Sequence, residues 1–536
     1  MVGLLAGWLG SAHAQFQAGA ARVAMEVFHP GVGMYGYGQM DQRAAAQRTP
    51  LHARALIIKD SAGGVVAMVN CELAYITHGI KTAVVQRLAQ EHPQWGIGDA
   101  NLMITATHTH SGPGGFAHYP LYNWTVVGFH AGTFDGIVNG IVKALTEAYQ
   151  RLEPVRLFTG QAAFHPDTAV AYNRSLKAYN RNPEVTPKNR DEAHLAINRT
   201  MDLLTVKSMA GQPLAMFTWL GAHATSIGND NKELSFDNKG FAAHYLEQEF
   251  KDSLVAVFAQ SAAGDVSSNY HGPKQWKLRQ QRHGEADHEE AASNGSRQFR
   301  HALNAYRQGR VAQPVQGAIR HALAYADFSA LEIDTAFTGG VNGAVTGPAS
   351  FGVAFMRGTP VDGRGVGAVP GRFLIWTTDV VKGFRWTRSR FQTREKRLAL
   401  NRLYRSQGRK KIFAEAGNKR ILGTHRIGSL AVPGFTDPVV RVIKEQYRDS
   451  ALQEHSWAPQ VLPIQLFQLG NVAILGVPGE ITTIGAERLI ATVRPQLEAQ
   501  GVQHIILSAY ANAYMGYITT REEYRCQRYE GGHTLY

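Results

Sequence analysis

Two histidines, spaced two apart, open onto a glycine-rich turn in Thr105 to Gly114 (Thr-Ala-Thr-His-Thr-His-Ser-Gly-Pro-Gly), the stretch of this chain best equipped for chemistry. They follow the apolar run Leu102-Met103-Ile104, which reads as a buried strand. While such a strand persists, alternation sends His108 and His110 out of the same face. The Ser-Gly-Pro-Gly-Gly that follows cannot continue a sheet and reads as a loop. Paired imidazoles at that place suit a metal ligand beside a proton-transfer group. A solitary His-x-His is more often an ordinary core or surface pair, so the rest of the chain must decide.

Other reactive side chains stand where strands are expected to end. His223 follows the apolar Phe217-Thr-Trp-Leu220, and Glu480 follows Ile474-Leu-Gly-Val-Pro-Gly479 at the expected start of a helix. Ser267 and Ser268 lie in Ala263-Gly-Asp-Val-Ser-Ser-Asn269, while Tyr514, Tyr517, Tyr524 and Tyr529 crowd residues 512–530. Loops after buried strands are held by a rigid scaffold yet open to a ligand. Each group alone has a plainer role: Glu480 could serve a helix N-terminus, and tyrosines usually pack.

The elements that must position these groups alternate between strand and helix signals. Residues 53–58 and 64–69 read as a hairpin through Asp60-Ser-Ala-Gly-Gly64, and 77–92 and 134–152 carry a helical period. Strands are expected at 201–207, 214–220 and 254–260, with a helix at 239–251 between them. A second hairpin, 462–469 and 472–477, precedes a helix at 481–500 and a strand at 504–508. The expected fold class is mixed α/β, a large mixed-sheet catalytic domain with helices covering the sheets. No period of 20–50 residues recurs, which excludes repeat architectures.

The 536 residues are 44% hydrophobic and 18% charged, as in a globular protein with a large core. A formal charge of +13 suggests an anionic partner. Cys71 and Cys526 are too few for a disulfide framework, and Cys71 sits in an apolar run that suits a buried thiol. Residues 1–14 run from an apolar stretch to Ala12-His-Ala14, the pattern of a signal peptide, so a secreted or periplasmic location is expected. No later segment has eighteen uninterrupted apolar residues. Residues 339–371 are dense in glycine without a phosphate-loop Lys-Ser/Thr and read as a long mobile loop over an active site. Residues 385–411 are strongly basic with aromatic residues interleaved. They suit a solvated helix face or contact with an anionic membrane surface, and nucleic acid is not expected.

The chain resembles the neutral/alkaline (non-lysosomal) ceramidase family over essentially its whole length. The resemblance rests on Met34-Tyr-Gly-Tyr37, Leu51-His-Ala-Arg-Ala55, 105–116, Tyr172-Asn-Arg-Ser175, Asp237-Asn-Lys-Gly240, Gly264-Asp-Val-Ser267, Val477-Pro-Gly-Glu480 and Tyr517-Ile-Thr-Thr-Arg-Glu-Glu-Tyr524, in the family's order. It implies a zinc-dependent amidohydrolase, in residues 15–536, that splits ceramide into sphingosine and a fatty acid. Carried over motif by motif, His108, His223, Glu480 and Tyr517 look like the ligands of one Zn²⁺ per chain. His110, Arg174 and Tyr529 look like catalytic groups beside it, and Ser267 matches the family's nucleophilic serine. Two imidazoles, a carboxylate and a phenolate form a reasonable nitrogen and oxygen set, tyrosine being the uncommon member.

Two departures accompany the resemblance. Ser268 stands where the family usually has proline, and the sequence stops at Tyr536 within a stretch the family normally continues. The family's C-terminal β-sandwich is therefore expected to be absent, whether as a fragment or by design. Two further functions fit the same residues: a zinc amidase for another N-acyl lipid or N-acyl amine, and a lipid-binding relative without activity. The attacking group, Ser267 or metal-bound water, is left open by the sequence.

Overall fold

The computed structural model of the chain describes residues 16–272, 281–359, 361–425 and 456–536, with five positions between 441 and 448. The expected export segment at 1–14 lies outside the described residues.

One large sheet runs in the order Val255–Ala259, Pro213–Trp219, Thr200–Ser208, Glu153–Ala163, Phe16–Ala24, His52–Asp60, Val65–Cys71 and Leu102–Ala106. Gln313–Pro314 adds to Glu153–Ala163. Its interior pairs are antiparallel, whereas the outermost pair at each edge is parallel. Leu56, Ile58, Met68 and Met103 from one end of this order share an apolar cluster with Phe217, Val257 and Ala259 from the other. The sheet is therefore strongly curled, as accumulated strand twist allows. A second sheet, Ile319–Asp327, Val461–Leu469, Val472–Gly476 and His504–Ser508, contributes Phe467, Ile474 and Ile506 to that cluster.

Helices cover the sheet, as the sequence pattern predicts. His78–Glu91 and Ala131–Gln150 pack Ile80, Val84, Ile137 and Ile141 on one side. Asp237–Glu249 and Glu285–Arg307 bring Ala242, Leu246 and Leu303 to another. The Leu51-His-Ala-Arg-Ala55 motif has a structural role here. Arg54, buried, donates to Glu72 Oε1 at 2.6 Å and to Glu247 Oε1 at 2.9 Å, clamping a sheet strand to a covering helix. A buried ion pair of this kind persists only when every lone pair is occupied.

Three expectations are corrected. The strand Leu102–Ala106 ends before the histidines, and His108 has φ +67°, so a turn, not strand alternation, aims His108 and His110. Residues 339–371 are not a featureless loop. They contain Ser350–Gly352, the helical turn Val353–Met356, the ladder Gly358–Thr359 with Gly363–Arg364, and the start of the helix Ala368–Ser389. The basic region 385–411 is not one helix face but the end of that helix and the separate helix Arg394–Ser406.

Candidate active site

Short ladders between loops assemble the site. Thr109 bridges Ala224 in parallel, joining the loops of His108 and His223. Glu480–Ile481 pairs in parallel with Tyr517–Ile518, placing Glu480 beside Tyr517. Val266–Ser267 pairs antiparallel with Tyr172–Asn173, next to Arg174. Gly264 permits a further join, of the Ser267 loop to the Glu480 segment: its N–H donates to the Ile481 carbonyl at 2.9 Å, and a Cβ there would lie 2.5 Å from the Glu480 carbonyl oxygen. At Gly36, φ +120° with His110 ring atoms 2.3 Å from any Cβ, only glycine fits. This explains the glycine of Met34-Tyr-Gly-Tyr37, and the Tyr37 ring stands edge-on to His110.

At the centre His108, His110, His223 and Glu480 are all buried. The Nδ1 of His108 faces the Ala74 carbonyl at 2.5 Å and that of His223 faces the Val266 carbonyl at 3.0 Å. Those carbonyls fix the tautomers, with the proton on Nδ1 and a bare lone pair on each Nε2. Glu480 Oε2 lies 3.4 Å from His108 Nε2 and 3.1 Å from His223 Nε2, and the latter makes no hydrogen bond. Three electron-rich atoms facing one another in a buried space repel unless a cation lies among them. This donor set therefore fits a metal ion.

His110 Nε2 is 3.0 Å from His108 Nε2, and the three histidines together form a grouping that could hold a metal. Unlike the other two, His110 has an Nδ1 without a partner. A ligating histidine is ordinarily oriented through its second nitrogen, so this difference sets His110 apart. Burial holds His223 down at about 4 and His110 well below its usual value, so both rings are neutral at pH 7. Burial opposes ionisation of Glu480, whereas any positive charge on His108 and His223 draws its carboxyl well below the ordinary range. Tyr514 and Tyr510 donate their hydroxyls to its two oxygens.

Arg174 connects this centre to the serine. Its Nη2 donates to Tyr517 Oη at 3.0 Å and its Nη1 to Asp362 Oδ2 at 2.9 Å, and its Nε donates to Glu530. Burial and Glu480 push the Tyr517 phenol well above its ordinary value, so its ionisation would need a cation beyond Arg174. Ser267 Oγ donates to Asp362 Oδ1 at 2.5 Å and accepts from Asn269 N at 3.2 Å. Ser268 instead meets Ser226 Oγ at 3.1 Å, so the adjacent serines do face different partners. Tyr529 stacks on Phe355 with centroids 4.4 Å apart, under the Arg174 guanidinium. A cavity of about 240 Å³, lined by Arg174, Arg357, Thr359 and Tyr529 among others, leads to this wall.

The structure thus brings His108, His110, His223, Glu480, Tyr517, Arg174, Ser267 and Tyr529 into one connected centre. Tyr524 points elsewhere, donating to the Gln407 carbonyl at 2.8 Å. Sequence reasoning missed Asp362, whose only signal was an acid set in the turn Gly358-Thr-Pro-Val-Asp-Gly-Arg364. It also missed Gln260, buried at the end of Val255–Ala259. Gln260 Nε2 donates to the carbonyls of Thr107 at 2.9 Å and Ala222 at 2.6 Å, tying the two histidine loops together. The Asp237-Asn-Lys-Gly240 motif supports the same loop, with Asn238 Nδ2 donating to the His223 carbonyl at 3.1 Å.

Fold and site define a mixed α/β enzyme with a buried histidine–carboxylate centre that could hold a metal ion. Residues 16–371 and 448–536 match the family described as neutral/alkaline non-lysosomal ceramidase, N-terminal. The chain belongs to this family. It is 32% identical over 517 residues to the neutral ceramidase of Pseudomonas aeruginosa, covering 94% of this chain and 67% of that protein. It is 29% identical to neutral ceramidase A of Dictyostelium discoideum over 534 residues, with the same two coverages. A solved structure titled as a ceramidase complexed with C2 superposes with a TM-score of 0.78 at 31% identity, covering 98% of this chain and 72% of that one. The crystal structure of the Pseudomonas aeruginosa enzyme gives a TM-score of 0.76 at 30% identity.

Proposed function

We propose that the chain hydrolyses the amide bond of ceramide or a closely related N-acyl sphingolipid, releasing the sphingoid amine and a fatty acid, at a single Zn²⁺ site. The observation that carries this reading is the convergence of the bare Nε2 atoms of His108 and His223 on the Glu480 carboxylate, with Tyr517 paired alongside. These four residues would hold the ion, which when bound supplies a Lewis acid for the amide carbonyl. Membership of the ceramidase family supplies the substrate class.

The remaining residues divide the work. Ser267 Oγ has one proton and two lone pairs; Asp362 takes the proton and Asn269 N occupies one lone pair. One lone pair remains for the carbonyl carbon, which suits Ser267 as the attacking group, with Asp362 receiving its proton. Arg174 and Tyr529 supply donors near the developing oxyanion. The proton that Ser267 gives up is the one the departing amine needs; His110, neutral at pH 7 and unanchored at Nδ1, takes it up transiently and delivers it to that amine. Water then cleaves the acyl–serine ester and frees the fatty acid.

The test is fatty-acid release from a panel of N-acyl lipids and N-acyl amines, with zinc content measured on the same sample. Release from ceramides above all others, at one zinc per chain, is expected. A zinc-loaded chain that cleaves another N-acyl amine better reassigns the substrate, and no turnover of any member overturns the enzyme reading.

A further inference from the structure

The helix Ala368–Ser389 presents an apolar stripe to solvent. Val369 is 79% exposed, Phe373 63%, Trp376 60%, Val380 49% and Phe384 65%. At 100° per residue these five side chains fall within an arc of about 80°. The opposite face is committed to the protein through Gly371, Thr378 and Ser389. Exposed aromatic side chains aligned over four turns are unusual on a soluble surface and mark a docking face.

Charge identifies what docks. Residues 368–411 hold thirteen Lys and Arg against two acidic residues, a surplus of eleven in a chain whose whole formal charge is +13. Arg388, Arg390, Arg394, Lys396, Arg397 and Arg405 are exposed, and Phe391, 88% exposed, lies among them. Apolar stripe and cationic border together match the interface of an anionic bilayer. No helix among the described residues is long and apolar enough to cross a membrane.

Position links this surface to catalysis. The helix starts six residues after Asp362, and Gly371 sits against Arg357, which lines the 240 Å³ cavity. The helical turn Val353–Met356 packs against both this helix and Tyr529–Gly532, with Phe355 on Tyr529. A bilayer seated on the stripe would therefore meet the protein close to the cavity that Arg174 and Tyr529 line.

We propose that Ala368–Ser389 is an in-plane anchor that docks the enzyme on anionic lipid bilayers and delivers membrane-borne substrate to the adjacent cavity, a role that rests on the lipid-amide reading above. The test uses the full chain with phosphatidylcholine vesicles, with and without phosphatidylserine. Wild type should bind the anionic vesicles, at least ~10-fold tighter than neutral ones, and lose affinity as salt rises. Phe373→Ser with Trp376→Ser should weaken that binding at least ~10-fold, since each ring forfeits its burial. Arg388→Glu with Arg390→Glu should abolish the preference for anionic lipid. Both variants should cleave a short-chain, water-soluble N-acyl substrate within twofold of wild type. Equal binding by wild type and the serine variant overturns the proposal. So does a wild-type dimer on gel filtration that the serine variant dissolves, which would make the stripe an interface between copies. Binding with the expected pattern by a chain that cleaves no N-acyl lipid supports the anchor and overturns the function, so the two fail separately.

Discussion

Asp362→Asn is the sharpest test of the catalytic arrangement. The carboxylate accepts from Ser267 Oγ at 2.5 Å, Asn269 Nδ2 at 2.9 Å and Thr225 Oγ1 at 3.3 Å on one oxygen, and from Arg174 at 2.9 Å on the other. Burial would raise this carboxyl, but Arg174 holds it below the usual range, so the group is ionised at pH 7. An amide of the same shape must fail one side. With its nitrogen toward Arg174, two donors oppose each other; with its nitrogen toward Ser267, the hydroxyl proton is turned away. Losing one charge-assisted hydrogen bond in this buried setting costs roughly 1.5–3 kcal/mol. Displacement of Arg174 from Tyr517 brings the expected loss of transition-state stabilisation to about 2–4 kcal/mol, or roughly 30- to 1,000-fold in kcat. The assay is kcat and KM on a short-chain N-acyl substrate, with zinc content and Tm on the same preparation. The expected variant keeps its zinc and most of its KM while kcat falls. Asp362→Glu, which keeps the charge, should recover part of the rate. An Asp362→Asn enzyme within twofold of wild-type kcat refutes the reasoning.

His108→Ala and His223→Ala should lose both zinc and turnover, whereas His110→Ala should keep zinc and lose rate; metal analysis showing zinc loss in His110→Ala would place that nitrogen among the ligands. Ser267→Ala should lower kcat by orders of magnitude and Ser268→Ala by no more than a few-fold, and substantial activity in Ser267→Ala makes water the attacker. Burial and the nearby Asp287 raise the Asp237 carboxyl to about 6. Because the folded state holds this proton more tightly than the unfolded one, its contribution to stability is full below pH ~4 and is lost as pH rises through about 6. The change is up to ~3 kcal/mol at 1.36 kcal/mol per pKa unit. Unfolding free energies across that range should show the fall in wild type and a flatter profile in Asp237→Asn; identical slopes would exclude Asp237 as the source.

Much of the fold was legible because burial writes itself locally. The predicted strand at 504–508 coincides with His504–Ser508, and the helix expected at 77–92 forms as His78–Glu91 with Thr77 capping Ile80 N. Alternation and helical period are short-range signals, fixed by which face of an element meets the core. The chemistry-bearing residues were legible too, as reactive types after apolar runs and through motifs in the ceramidase order. Their mutual geometry was not. Alternation along an imagined strand placed His108 and His110, yet the chain turns at Ala106 and reaches His108 with positive φ. The partners that set Ser267 and join the histidine loops, Asp362 and Gln260, lie 95 and 153 residues away from Ser267 and Thr107. A single sequence contains no local trace of such distances. Curling of the large sheet brings its two parallel edges together, and only there do His108 and His223, from opposite ends of the strand order, meet around Glu480. The sequence by itself determined which residues could do chemistry and the elements that carry them; long-range packing decided which nitrogen faces which oxygen, because that depends on loop closure across hundreds of residues.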